Sequence, residues 1–179
     1  MFSRENALLL VIDVQERLLP RIHDASCLVG NVLTLAECCK ILNLPILVTE
    51  QYPEGIGPTA AALAPALDQR PKISKRTFSC CGETAFMEAL AATGRSQVLI
   101  AGIETHVCVF QTASDLVQNG CAVQVAADAT GSRTPANRQI GLNRMEKLGI
   151  EITSVESALF ELLKTSDCPE FKQILRLIK

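Results

Sequence analysis

Histidine is scarce in this sequence: His23 and His106 are the only two among 179 residues. No histidine and cysteine spacing suits zinc. His106 stands two residues before Cys108, and positions i and i+2 of a helix do not face each other, which argues against a Cys/His dyad. His23 falls in a loop after the first strand and reads as a surface residue. An excess of one charge is also missing. The formal net charge is −2, so bulk charge gives no attraction to nucleic acid or to an anionic membrane surface.

No apolar stretch approaches the roughly 20 residues needed to cross a bilayer. The run Ala7 to Ile12 is short, is closed by Asp13 and has no small-residue cleavage site, so it reads as a strand rather than a signal peptide. A soluble, cytoplasmic protein is expected. No C-x-x-C, Walker, G-x-S-x-G or H-E-x-x-H pattern is present. The eight cysteines follow no framework spacing, and the adjacent pairs Cys38-Cys39 and Cys80-Cys81 cannot point the same way on regular structure. Most therefore read as small buried hydrophobes with reduced thiols.

What is present is an alternation of short apolar runs and helix-period segments. Strands are expected at 7–13, 46–49, 72–75, 97–103, 121–127 and 150–153, with turn-rich sequence over 50–58. Helices are expected at 26–42, through an alanine-rich stretch to Leu67, at 83–92, 105–118 and 135–148, and from Ser157 and Pro169. With 48% hydrophobic residues the chain has ample material for one core and is expected to form a single domain over 1–179. Six strands separated by helix-sized crossovers call for an α/β, doubly wound, three-layer α/β/α sandwich around a parallel sheet. In the common order 3-2-1-4-5-6, the first and fourth strands are neighbours at the switch point, where open α/β sheets bind ligands.

Cys108 follows the fourth strand at the expected first helical turn, where backbone amides and the helix dipole favour a thiolate. Asp13 ends the first strand, and a carboxylate beside desolvated strand ends needs a cation or a proton donor. Taken alone it is equally a helix cap or a structural ion pair; beside Cys108 it becomes a general base. Lys75 closes the third strand and Arg76 follows it, so either reaches the same crevice, where a cation lowers the pKa of thiol and carboxylate. Taken alone, Lys75 is a solvated lysine at a strand end. Gly55-Ile56-Gly57-Pro58-Thr59-Ala60 matches G-x-G-x-x-A, but it stands several residues after the second strand, and Pro58 lacks the amide a phosphate would use.

The segments VIDVQ (11–15), VTEQYPEGIG (48–57), KRTFS (75–79), GIETHVCV (102–109) and ADATGSR (127–133) together resemble the isochorismatase-like cysteine hydrolases, in order over nearly the whole chain. The resemblance implies a six-stranded parallel sheet and a catalytic triad matching Asp13, Lys75 and Cys108. It also implies a non-proline cis peptide at Ile103-Glu104, with the amides of Glu104 and Cys108 forming an oxyanion hole. The nicotinamidase branch carries an Asp-x-His metal motif after the second strand, where this chain has Glu50-Gln51-Tyr52, so no metal and no other cofactor is expected. The expected activity is hydrolysis of a small amide or related acyl compound through a thioester. Pocket walls are expected from Leu18, Tyr52, Phe78 and Thr105, and the protein is expected to be a homo-oligomer. A catalytically idle metabolite-binding or scaffold protein that keeps the fold is the alternative.

Overall fold

The computed structural model describes all of residues 1–179. Its six strands are β1 (Ala7–Ile12), β2 (Ile46–Gln51), β3 (Lys72–Lys75), β4 (Gln97–Ile103), β5 (Ala122–Gly131) and β6 (Glu151–Thr153). They form one parallel sheet in the order β3-β2-β1-β4-β5-β6. The helices are α1 (Ala25–Ile41), α2 (Pro53–Ile56), α3 (Ala64–Leu67), α4 (Thr84–Thr93), α5 (Phe110–Gln118), α6 (Pro135–Lys147), α7 (Val155–Leu163) and α8 (Phe171–Leu177). No helix is long and apolar enough to cross a membrane.

The central strand β1 is buried at every position, which is why it reads as a continuous apolar run. Successive side chains serve opposite faces of the sheet. Ala7, Leu9 and Val11 join a core with Leu28, Val32 and Leu35 of α1, Leu159 and Leu162 of α7 and Ile174 of α8. Leu8, Leu10 and Ile12 join the other core, with Phe86 of α4, Val109, Ala113 and Leu116 on and just before α5, and Leu142 and Met145 of α6. Each fully buried Leu or Ile contributes about 1.5–3 kcal/mol relative to exposure. These two apolar layers fix the strand ends from which the polar residues emerge.

Three expected boundaries shift for physical reasons. The alanine-rich helix divides into a 3-10 turn at Ala61–Leu63 and the single turn α3, because Pro65 falls within the first turn of α3 and has no amide for a preceding turn. The segment 105–118 is also divided: Thr105–Val109 forms a π-helical turn and α5 begins at Phe110. Strand β5 continues to Gly131, beyond the expected end at Ala127, through a break in register between Ile100 and Gly102 of its partner β4. There Arg138 of α6 donates to the carbonyl oxygens of Ala127 and Thr130, satisfying carbonyls on the far side of the irregularity. Gly102 has φ +126, and a Cβ there would lie 2.1 Å from the Ile12 carbonyl oxygen. Only glycine lets β4 and β1 approach so closely where their polar ends emerge.

Candidate active site

The carboxyl ends of β1, β2 and β3 place a set of polar groups side by side. Asp13 is the first residue after β1, adopts a left-handed backbone (φ 53) and is 1% exposed. Its Oδ1 accepts from Thr49 Oγ1 at 2.8 Å, while its amide donates to the Thr49 carbonyl. Lys75, the last residue of β3, is 2% exposed, and its Nζ lies 2.8 Å from Asp13 Oδ2. The ammonium donates to Gln51 Oε1 at 2.7 Å, Phe78 O at 3.0 Å and Thr77 O at 3.1 Å. Asp13 Oδ2 is therefore paired with the Lys75 charge. Of the two neighbouring cations, Lys75 enters the crevice. Arg76 turns outward, its guanidinium 3.8 Å from the centre of the Tyr52 ring.

Cys108 joins this pair from the π-helical turn after β4 and is 8% exposed. The thiol does not have the lowered pKa expected for a helix start. Burial and the adjacent Asp13 carboxylate push it up to about 12, with Lys75 pulling only partly the other way. The resting group is a neutral thiol with a buried carboxylate as its neighbour. Burial opposes the Lys75 cation, but Asp13 and Cys108 outweigh it and hold its pKa above the ordinary value. A second thiol, Cys80, is also within the influence of Asp13 and Lys75, and burial raises it to about 12.

The peptide bond Ile103-Glu104 is cis. The Glu104 amide has no hydrogen-bond acceptor, while its carboxylate accepts from the amide, Nε and Nη2 of Arg133. The four expected pocket walls are unlike one another. Phe78 is 56% exposed and Tyr52 39% exposed under its arginine, whereas Thr105 is wholly buried with an unpartnered hydroxyl. Leu18 packs sideways against the core on the α1 side. The Thr105 backbone is pressed against α6, where Gly141 leaves room for it.

Sequence reasoning missed Thr49 and Gln51, two polar residues separated by two on β2. That spacing puts them on one face, and the register of Gln51 opposite Lys75 carries it to the ammonium. Gln15 was missed as well; it is fully buried and joins the Gln51 backbone to Gly57. The glycine-containing loop is not a phosphate cradle, because the Thr59 amide and hydroxyl already donate to Glu50 Oε1. No group of three His, Cys, Asp or Glu side chains is placed to hold a metal ion. His106 Nδ1 meets Ser132 Oγ at 3.0 Å. His23 lines a separate open cleft of about 370 Å³ with Cys27, Asn31, Asp128 and Arg138.

The isochorismatase domain model matches residues 7–157. The chain is 35% identical to isochorismatase domain-containing protein 2 of Danio rerio over 98% of this chain and 88% of that protein. Among solved structures, the MAR1 ribonuclease of Caenorhabditis elegans superposes with a TM-score of 0.93 at 34% identity, covering 99% of this chain and 91% of that one. YcaC of Pseudomonas aeruginosa, solved with hexane-2,5-diol and covalent acrylamide, gives a TM-score of 0.92 at 30% identity, covering 98% and 90%. YcaC of Escherichia coli, described as an octameric hydrolase of unknown specificity, gives 0.91 at 27%, covering 98% and 89%. Motif order, sheet topology and these similarities agree: the chain belongs to the isochorismatase family and has its hydrolase fold.

Proposed function

We propose that this protein is a cysteine hydrolase that cleaves a small amide or related acyl compound through a thioester on Cys108, without a metal. The observation that carries this reading is the buried Asp13 carboxyl, 2.8 Å from Lys75 Nζ through Oδ2 and within hydrogen-bonding reach of the neutral Cys108 thiol. A carboxyl in contact with a thiol in a buried site is placed to take its proton. Asp13 Oδ2 takes the thiol proton as Sγ bonds to the substrate carbonyl carbon. The carbon–nitrogen bond then breaks, and the protonated Asp13 returns the proton to the departing amine. Water attacks the thioester, giving one proton to Asp13. The carbon–sulfur bond breaks and the proton goes back to sulfur.

Lys75 stays charged throughout and remains beside Asp13 while the carboxyl gains and loses the proton. The Glu104 amide, which has no acceptor in the fold, serves with the Cys108 amide as donor to the carbonyl oxygen as it gains charge. Tyr52, Phe78 and Leu18 form the rim, and the buried Thr105 supports the turn. The covalent acrylamide in the P. aeruginosa relative supports a reactive nucleophile in this family. The octameric description of the E. coli relative supports a homo-oligomer here. Eight free cysteines suit a reducing, cytoplasmic setting. Incubation with acrylamide near neutral pH, followed by peptide mapping, is expected to place the adduct on Cys108 ahead of the exposed Cys27. Labelling of Cys27 alone would reject the activated nucleophile and favour an idle binding protein.

A further inference from the structure

The charges around the triad restrict what can enter it. Resting on the cysteine-hydrolase reading above, we infer that the substrate is electrically neutral at and beside its scissile carbonyl, and that the site excludes carboxylates. The first observation is that the Lys75 ammonium has no donor to spare. It has three N–H groups and donates to Gln51 Oε1, Thr77 O and Phe78 O, with Asp13 Oδ2 as a fourth oxygen 2.8 Å away. An arriving carboxylate would have to break one of these buried contacts.

The second observation is that the other cations on the segments flanking the triad are committed elsewhere. Arg133 fastens its Nε and Nη2 to the Glu104 carboxylate. Arg76 stacks on Tyr52 and lies 3.6 Å from Glu54. Arg17 Nη1 donates to the Gly55 carbonyl oxygen at 2.8 Å. The third is the fixed charge that remains. Asp13, 1% exposed, is the carboxylate beside Cys108; although paired with Lys75, it has the larger influence on the Cys108 sulfur, so a second anion arriving there is repelled. A neutral carbonyl meets no such penalty, and the unpaired Glu104 amide is a donor suited to its oxygen. Exclusion of anions here is discrimination by repulsion rather than by a missing contact.

Two alkylating reagents of nearly equal size differ in this one respect. Iodoacetamide is neutral and iodoacetate carries a carboxylate. The ratio of their rates at Cys108, measured by peptide mapping of the full-length protein, is compared with the ratio at the same cysteine in chain unfolded by guanidinium. The folded protein is expected to favour iodoacetamide by an additional factor of about ten or more, given the strength of like-charge repulsion at protein dielectric. Equal ratios in the two states would overturn the inference while leaving the nucleophile intact. Iodoacetate labelling that is favoured in the folded protein and lost in Arg76→Gln would overturn it in favour of an anion receptor at Arg76. A Cys108 that resists both reagents when folded, while Cys27 reacts, would remove the hydrolase reading itself and this inference with it.

Discussion

Two polar places lie along the carboxyl edge of the sheet, and they are built in opposite ways. At the first, Asp13, Lys75 and Cys108 are all nearly inaccessible and come from separate elements. In the cleft between the starts of α1 and α6, Cys27 is exposed, and Arg138 is spent on the carbonyl oxygens of Ala127 and Thr130. The cleft has open space, but the buried cluster has the desolvated charges, which interact strongly because water is excluded. Chemistry is better sought where burial has been compensated by pairing than where there is merely open space. The same contrast separates the two cysteines, since exposure makes Cys27 accessible and its neighbours give it no buried base.

The sharpest break of this comparison is in activity. Cys108→Ala is expected to lower hydrolysis of any small amide or ester substrate by about a thousandfold or more, as loss of a nucleophile does, and to abolish acrylamide adducts in intact-mass spectra. Next comes stability. Lys75→Met leaves Asp13 buried without its cation and is expected to cost about 3–5 kcal/mol in urea unfolding. The double variant Asp13→Leu, Lys75→Met should recover most of that loss, because the pair as a whole contributes little net stability against apolar replacements. If the double variant is no more stable than Lys75→Met, the loss came from packing.

A smaller effect concerns alkaline pH. Cys80 and Cys108 titrate near 12 in the fold, against an ordinary value of 9.0. Their folded pKa values are raised, so their contribution is complete below the ordinary value, where the unfolded thiols ionise, and falls as pH rises toward 12. The loss is about 1.4 kcal/mol per pH unit for each such thiol. Lys75, also raised, adds to the decline above its ordinary range. Replacing either thiol with alanine should flatten the slope of urea stability against pH. The smallest expected effect is at the cleft: Cys27→Ser and His23→Ala should leave turnover and the adduct on Cys108 unchanged within error. A loss on either substitution would make the cleft part of the working site.

Residues whose role depends on position along a strand were legible in the sequence. The apolar runs gave the sheet and its order, and the polar residues closing β1 and β3, together with Cys108 just beyond β4, gave the buried cluster. Residues whose role depends on register were not. Gln51 and Thr49 matter only because β2 lies between β1 and β3 with Gln51 opposite Lys75, and no local pattern announces that pairing. The direction of the Cys108 pKa was also hidden. A helix start predicts a lowered value, but burial beside a carboxylate outweighs the dipole, and burial is a property of the assembled fold. The split of 105–118 into a π turn and a helix has no propensity signal, since every residue in it tolerates a helix.

The ion pair between Asp13 and Lys75 also bears on the order in which the chain can fold. The partners belong to strands separated by β2, so their contact is non-local and closes a long loop. During synthesis, β1 emerges with its carboxylate well before β3 exists. Until Lys75 arrives, sealing the carboxyl end of β1 would strand a bare charge, so the centre of the sheet has an incentive to stay open at that end. Docking of an edge strand, β3, thereby completes the interior of a central one.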